Sequence, residues 1–158
     1  FAVDESQASD QKQTALAVQP GSFKGRRALL VEDNDINRYI ARTILKKWGF
    51  EVEEATDGRK AVERFKASAP GSYDIIFMDI QMPVMNGYDA AVAIRRLGRA
   101  DSASVSIVAM TANVFAEDVE RARQSGMNAH VGKPIDPDLL RAVVAKLLTE
   151  RHDQDETR

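Results

Sequence analysis

The 158-residue sequence contains no cysteine, no long apolar segment and no basic run. Without cysteine, neither a disulfide framework nor a thiolate metal site can form. No apolar run approaches the roughly 18 residues of a membrane-spanning helix, so we expect no direct membrane insertion. A formal net charge of −2 with dispersed lysines and arginines predicts no nucleic acid partner. A composition of 44% hydrophobic and 29% charged residues is that of an ordinary globular domain.

The beginning of the sequence lacks both a starting methionine and the basic-then-apolar order of a signal peptide. We therefore expect a segment of a longer polypeptide. Residues 1–24 have few large apolar side chains and predict a flexible linker, with a short helix over residues 8–18 as the alternative. Residues 25–150 are the expected domain, and residues 151–158 form a polar tail.

From Arg26 onward, strand-like and helix-like patterns alternate, giving five strands and five helices. The first helix carries an apolar stripe at intervals of four residues from Ile36 to Trp48, and Gly49 is placed to end it. The last helix begins with Asp136 and Pro137 and carries apolar residues from Leu139 to Leu148. Such alternation predicts an α/β fold with a mostly parallel sheet covered by helices on both faces.

Four apolar runs each lead into polar side chains that can take part in catalysis. Because the carboxyl ends of parallel strands meet at one edge of the sheet, these side chains are expected to converge there. They are Glu32 and Asp33, Asp79, Thr111, and Lys133. Taken singly, each has an ordinary structural explanation, such as a helix cap or a solvated charge. Together they suit Mg²⁺-assisted phosphoryl transfer to a carboxylate.

The chemistry of Mg²⁺ assigns expected ligands within this set. Mg²⁺ prefers oxygen ligands and keeps several waters, so two or three carboxylates are enough. We expect Asp33 and Asp79 to bind directly, Glu32 directly or through water, and Gln81 through its backbone carbonyl. The Thr111 hydroxyl can donate to one phosphoryl oxygen, and the ammonium of Lys133 can hold another.

The motifs that contain these residues resemble those of response-regulator receiver domains. The matching stretches are Leu-Leu-Val-Glu-Asp-Asn-Asp-Ile-Asn-Arg (29–38), Met-Asp-Ile-Gln-Met-Pro-Val-Met-Asn-Gly (78–87), Met-Thr-Ala-Asn (110–113) and Gly-Lys-Pro-Ile (132–135). The resemblance implies a flavodoxin-like (βα)5 three-layer sandwich with strand order 2-1-3-4-5. It also implies a cis Lys133–Pro134 bond, and phosphorylation of Asp79 by a phosphohistidine donor with Mg²⁺ held by Glu32, Asp33 and Asp79.

The amino-acid sequences of the motifs are most similar to those of receivers fused to hybrid sensor histidine kinases. The expected function is therefore that of a phosphoacceptor in a two-component phosphorelay, which catalyses only its own phosphorylation and dephosphorylation. The implied partner is a histidine kinase dimerisation domain or a histidine-phosphotransfer domain. The implied location is cytoplasmic, with a parent sensor kinase as a possible membrane tether. A stand-alone response regulator and a degenerate receiver that acts only as an interaction module are the alternatives.

The resemblance also assigns roles around the phosphorylation site. Thr111 and His130 occupy the positions of the conformational switch, where His130 stands in place of the usual aromatic residue. The positions that tune dephosphorylation hold Gln81 and Asn113. Residues expected near the site as a docking surface for the donor are Ile36, Ile40 and Pro134, although Ile36 and Ile40 also belong to the stripe expected in the core.

Two other enzyme or binding classes fit the sequence less well. A phosphatase with an aspartate nucleophile normally has a second acid two residues after it, where this sequence has Gln81. A nucleotide- or flavin-binding protein would have a glycine- or hydroxyl-rich loop after the first strand. The acidic segment 32–35 at that position would repel a phosphate unless a cation intervened.

Overall fold

A computed structural model describes residues 23–112 and 115–156 and shows five parallel strands in one sheet. The strands are β1 (Arg27–Val31), β2 (Glu51–Ala55), β3 (Ile75–Asp79), β4 (Ser106–Thr111) and β5 (Ala129–Gly132). Their spatial order is β2-β1-β3-β4-β5, and every neighbouring pair is parallel. The expected flavodoxin-like sheet is confirmed.

Helices follow the strands and cover both faces of the sheet. They are α1 (Asp35–Lys47), α2 (Gly58–Ala67), α3 (Gly87–Arg95), α4 (Ala100–Ser104), α5 (Ala116–Gln124) and α6 (Pro137–Glu156). Within the described residues no helix is long and apolar enough to cross a membrane, and the cytoplasmic location stays a prediction.

Alternation along the strands divides the apolar side chains between two cores. In β3, Ile76 and Met78 pack on one face of the sheet with Phe65 of α2 and Ile94 of α3. Neighbouring side chains of the same strand, such as Phe77, pack on the opposite face beneath α1 and α6. Successive side chains of a strand point to opposite faces, so a continuous apolar run is buried on both. This explains why the central strands are almost uniformly apolar.

Local sequence signals account for most helix ends. The side chains of Asn34, Asp57 and Asn86 accept hydrogen bonds from backbone amides in the first turns of α1, α2 and α3. The carboxylate of Asp136 does the same for the amide of Asp138, at 3.0 Å. Gly49 follows α1 with a φ of 104°, a left-handed conformation that glycine adopts without a steric penalty. The predicted helix boundaries at Asp136 and Gly49 are therefore confirmed.

The sequence analysis did not predict α4, in the polar stretch before β4. Asp101 is buried there because its carboxylate accepts bonds from the Arg99 guanidinium, at 2.7 and 2.9 Å, and from the amide of Gly71, at 2.9 Å. The Arg99 guanidinium also donates to the carbonyl of Phe65 at the end of α2. Gly71 and Phe65 are more than 25 residues away in sequence, so no local pattern indicates the helix. Its presence gives six described helices where five were expected.

The expectation that the α1 stripe lies mostly in the core is wrong at its amino-terminal end. Ile36 is 70% exposed and Ile40 is 44% exposed, whereas Trp48 is buried. The helix packs on the sheet through Ala41 and Leu45 instead, whose side chains lie in one core with Leu30 and Trp48. Leu139, the first apolar residue predicted in the last helix, is also exposed.

The structure describes residues on both sides of the predicted domain bounds, which stay a prediction. Phe23, assigned to the linker, is buried against Trp48 and Phe50, and its amide donates to the carbonyl of Trp48 at 2.9 Å. Helix α6 continues to Glu156, past the predicted domain end at residue 150. The rest of the linker, with the alternative helix over residues 8–18, lies outside the described residues.

Gly87 allows the first turn of α3 to pack directly on the end of β3. Its amide donates to the carbonyl of Ile80 at 2.8 Å, and a Cβ at this position would lie 2.3 Å from the carbonyl oxygen of Asp79. A real Cβ cannot approach an oxygen so closely, so any side chain at residue 87 would displace the backbone of Asp79. The glycine therefore fixes the position of that residue.

We expect Gly87→Ala to lower the free energy of unfolding by about 1–3 kcal/mol, as overpacking does, in urea denaturation. It should also shift the backbone amide resonances of residues 79 and 80. Gly98→Ala is the control, because Gly98 has φ +77° and open space around it. Strain at Gly98 should cost about 1–2 kcal/mol without moving those resonances. Unchanged resonances in Gly87→Ala would contradict the packing argument.

Candidate functional site

Strand register brings the predicted site residues together at the carboxyl edge of the sheet. Val31 pairs with Met78, so Glu32 and Asp79 are the next residues of adjacent strands. Asp79 pairs with Met110, and Thr111 pairs with Gly132, the residue before Lys133. The polar side chains thus lie at the ends of four neighbouring strands, or directly after them, at nearly the same height along the sheet. The convergence expected from the sequence is confirmed by this geometry.

Lys133 forms ion pairs with two buried carboxylates at the centre of the site. Its Nζ lies 2.7 Å from Oε1 of Glu32 and 2.9 Å from Oδ1 of Asp79. Glu32 is 1% exposed and Asp79 is 4% exposed. The other carboxylate oxygen of Glu32 accepts a hydrogen bond from the backbone amide of Asn34, at 3.1 Å. One ammonium therefore connects the residue after β5 to the ends of β1 and β3, although Lys133 and Glu32 are 101 residues apart along the chain.

A third carboxylate, that of exposed Asp33, completes an acidic cluster with Glu32 and Asp79. One oxygen from each of the three lies within 4.8 Å of the others. Three acidic oxygens facing a single ammonium leave an excess of negative charge. A divalent cation with oxygen ligands, such as Mg²⁺, matches both the charge and the type of donor. The residues present therefore fit the cation implied by the sequence.

The ionisation of Asp79 reflects this crowding of charge. Burial, together with the nearby Glu32 carboxylate, raises the pKa of Asp79 to about 7 against the opposing effect of Lys133. Burial would lower the pKa of Lys133, but its bonds to Glu32 and Asp79 outweigh that effect and hold the pKa above its usual value. The ammonium therefore stays charged, while it neutralises only part of the charge on the acids.

A cavity of about 210 Å³ opens directly above the acidic cluster. Thr111 and Gln81 line it together with Ala112, whose small side chain leaves room for an incoming group. Thr111 is buried and Gln81 is exposed at the rim. Thr111 and Gln81, both expected near Asp79, therefore line the same cavity.

The remaining predicted residues lie around the site rather than in it. His130 is exposed on β5, and Pro134 is exposed after the cis peptide bond that joins it to Lys133, as the resemblance implied. Ile36 and Ile40 project from the start of α1, on the same edge of the sheet. Asn113 lies outside the described residues.

A second cavity, of about 520 Å³, shares Asp33, Gln81 and Thr111 with the site and extends toward α5. Tyr88 lines it, with the guanidinium of Arg121 lying 4.2 Å from its ring centroid. The sequence analysis missed this pair, because a tyrosine and an arginine on two separate helices carry no spacing signal. Arg38, which contacts the backbone of Glu32, was missed for a different reason: it resembles any solvated helix charge.

A larger cavity, about 790 Å³, lies away from this edge between β2 and α2. One of its lining acids, the half-buried Glu53, accepts hydrogen bonds from Arg27, Arg64 and the Tyr73 hydroxyl. These contacts hold the pKa of the Glu53 carboxyl below its usual value, although burial opposes them. The acid is satisfied within the protein, so the cavity offers no comparable excess of charge for a ligand.

Comparison with known proteins places the chain in a single family. The response regulator receiver domain family matches residues 28–145. Hybrid signal transduction histidine kinase I of Dictyostelium discoideum is 38% identical over 121 residues, which cover 75% of this chain and 7% of that protein. Aerobic respiration control sensor protein ArcB of Escherichia coli K12 is 37% identical over 130 residues, covering 82% and 16%. The matched region thus spans only a small part of either relative.

Solved structures agree with this assignment. The receiver domain of sensor histidine kinase PA1611 from Pseudomonas aeruginosa PAO1, with a magnesium ion coordinated in its active site cleft, is 34% identical with a TM-score of 0.70. The alignment covers 79% of this chain and 98% of that one. The chemotaxis protein CheY4 of Vibrio cholerae is 26% identical with a TM-score of 0.70, covering 77% and 98%.

We expect Mg²⁺ to raise the melting temperature, because a ligand at 100 times its Kd stabilises the folded state by about 2.7 kcal/mol. Asp33→Asn should weaken Mg²⁺ binding about tenfold or more and lose most of this effect. Asp89→Asn is the control, since Asp89 is an exposed aspartate in the first turn of α3 and does not belong to the acidic cluster. Thermal unfolding at several Mg²⁺ concentrations measures both. An equal response from the two variants would argue against the acidic cluster as the binding site.

Proposed function

This chain belongs to the response regulator receiver domain family, and we propose that Asp79 is the residue on which it accepts a phosphoryl group. The position of Asp79 supports the proposal most directly. It ends the central strand β3, lies beneath an open cavity, and has an ammonium 2.9 Å from one carboxylate oxygen. No other described aspartate combines a buried carboxylate with a cation and two further acids.

In the proposed step, a carboxylate oxygen of Asp79 forms a bond to phosphorus while the phosphorus–nitrogen bond of a phosphohistidine breaks. The bonding electron pair returns to the imidazole nitrogen of the donor, and the product is an acyl phosphate. A divalent cation held by Asp33, Asp79 and Glu32, with the backbone carbonyl of Gln81, would offset the repulsion between the carboxylate and the incoming phosphoryl group. The charge excess in the cluster supports this ligand set.

Lys133 and Thr111 would hold the phosphoryl oxygens after transfer. The ammonium of Lys133 lies against Asp79 and can shift from that carboxylate to a phosphoryl oxygen. Thr111 is the last residue of the adjacent strand β4 and lines the same cavity. Its hydroxyl can donate to another phosphoryl oxygen there. Gln81, at the rim, and Asn113 are the side chains proposed to tune hydrolysis of the acyl phosphate.

Exposed apolar side chains surround the site and support docking of a protein donor. The large hydrophobic residues that are exposed in the described part of the chain all lie in carboxyl-edge loops or at the beginning of helices: Ile36, Tyr39, Ile40, Val84, Phe115 and Leu139. Exposed apolar side chains beside a polar pocket, here called the apolar rim, are typical of a protein interaction site. We propose that Ile36, Ile40 and Pro134 contact a helical histidine-bearing partner, either a histidine kinase dimerisation domain or a histidine-phosphotransfer domain.

The relatives support a particular setting for this domain. Their names describe hybrid histidine kinases and sensor proteins, of which this chain matches a small part. We therefore propose that the chain is the receiver segment of a hybrid sensor histidine kinase. Phosphorylation would then bias a surface that includes Thr111 and His130. The exposure of His130 supports this role, because an exposed imidazole is free to change its orientation.

A degenerate receiver, which would act only as an interaction module, is the less favoured alternative. Loss of phosphorylation would remove the reason to keep three crowded acids and a half-buried lysine in one site. The acids, the hydroxyl and the ammonium are all present and adjacent. The stand-alone response regulator remains an alternative for the setting of the domain, with the same site chemistry.

Intact mass spectrometry after incubation with acetyl phosphate and Mg²⁺ tests the acceptor. The wild type should gain one phosphoryl group that is lost at alkaline pH, as an acyl phosphate is. Asp79→Asn should gain none, because an amide cannot form the acyl phosphate. Asp89→Asn is the control, since Asp89 is an exposed aspartate in the first turn of α3. A phosphoryl group on Asp79→Asn, or its absence from the wild type with acetyl phosphate and with a phosphohistidine protein, would refute the proposal.

A second experiment tests the docking surface. Ile36→Asp and Ile40→Asp should slow phosphoryl transfer from a phosphohistidine protein far more than transfer from acetyl phosphate, because only the protein donor covers the apolar rim. Thr43→Ala, at an exposed residue of the same helix, is the control. Radiolabelled transfer followed over time measures both rates. An equal slowing with both donors would instead indicate damage to the site itself.

A further inference from the structure

We propose that Arg38 is a positioning residue that orients the Glu32–Asp33 peptide for cation binding. The inference deepens the proposed function, since it concerns the two acids that follow β1. Arg38 itself contacts neither the carboxylate oxygens of the acidic cluster nor the cavity above it. Its guanidinium acts on the backbone that carries both acids.

The guanidinium of Arg38 joins three elements at the corner behind the site. Its Nη1 donates to the backbone carbonyl of Glu32 at 3.0 Å, its Nε lies 3.1 Å from Oε1 of Glu54 on β2, and its Nη2 pairs with Asp35 at the start of α1. The side chain is only 17% exposed. Arg38 is therefore part of the packed structure and not a freely moving surface charge.

Hydrogen bonds on every side immobilise Glu32. Its amide donates to the carbonyl of Ala55 at 3.1 Å, its carbonyl accepts from Arg38, and its carboxylate oxygens accept from Lys133 and the amide of Asn34. Among these, the Arg38 bond is the one that fixes the plane of the peptide joining Glu32 to Asp33. If that carbonyl were released, the peptide could rotate and carry the exposed Asp33 carboxylate away from the cluster.

The shape of arginine suits this role better than that of lysine. A guanidinium presents several N–H groups in a rigid plane, so one side chain can bond a carbonyl and two carboxylates in fixed directions. A lysine at the same place would keep the charge but would bond from a single nitrogen. Arg38→Lys therefore separates the geometry of the contact from its electrostatic attraction.

Arg42 supplies a matched control on the same helix. Its Nη1 lies 2.8 Å from the same Glu54 oxygen, and its side chain is partly exposed. The Arg42 contacts given by the structure are with Glu54 and the Tyr39 ring, not with the backbone of Glu32. Substitution of either arginine weakens an ion pair between α1 and Glu54 of β2. Only substitution of Arg38 also removes a hydrogen bond to the Glu32 carbonyl.

The experiment compares wild type, Arg38→Lys and Arg42→Lys by two-dimensional NMR, first without divalent cations and then in a Mg²⁺ titration. We expect Arg38→Lys to move the Asp33 amide resonance in the cation-free protein and to raise the Kd for Mg²⁺ about tenfold, as loss of a group that orients metal ligands does. Arg42→Lys should leave both unchanged. Where Arg38→Lys does not fold, Arg38→Gln, which retains one amide donor, takes its place.

An Asp33 resonance and a Mg²⁺ Kd that stay at wild-type values in Arg38→Lys would overturn the inference. Equal changes in Arg42→Lys would also overturn it, because they would assign the effect to the Glu54 ion pair. A wild type that binds no Mg²⁺ would refute the cation site of the proposed function. The cation-free Asp33 resonance would still decide whether Arg38 positions the peptide.

Discussion

The structure depends on one constraint: parallel strands in register deliver their polar ends to the same edge of the sheet. Glu32, Asp79, Thr111 and Lys133 follow four adjacent strands, and the ladder hydrogen bonds between those strands fix their spacing. Like charges are thereby held together more closely than they would be in an unfolded chain. The bridge from Lys133 to Glu32 and Asp79 offsets part of that repulsion. Packing of the two cores supplies the stability that holds the cluster in place.

Burial makes this cluster chemically useful and also costly to the fold. An ionised carboxylate removed from water is destabilised unless opposite charge or hydrogen bonds replace its hydration. Glu32 is compensated by an ammonium and a backbone amide, whereas Asp79 shares that ammonium and has a pKa raised to about 7 by burial. The undercompensated acid is the one at the floor of the cavity. A divalent cation and a phosphoryl group would supply the compensation that the Asp79 carboxylate lacks. The fold thus carries one incompletely compensated acid at the site where phosphoryl transfer is proposed.

Helices cover both faces of the sheet, so the carboxyl edge is where a partner can reach the site. The beginnings of α1 and α6 and the loops after β3 and β4 extend past the cores and expose apolar side chains there. Arg38 belongs to the same edge but faces inward, where it connects α1 and β2 to the end of β1. The edge thus combines a polar floor, an apolar rim and a rigid support beneath the acids.

The sequence by itself determined the alternation of elements, several helix caps and the residues of the polar floor, because these depend on short-range periodicity and on motifs within single segments. The family resemblance added the strand order and the cis bond before Pro134. Only the tertiary structure decided which side of a helix is covered: Ile36 and Ile40 continue the apolar stripe of α1, yet they extend beyond the strands that bury Leu45. It also decided α4, whose Asp101 is held by Arg99 and the distant Gly71, and the contact of Arg38 with the Glu32 carbonyl. Such features depend on groups that come together only when the chain has folded, so no pattern along the chain records them.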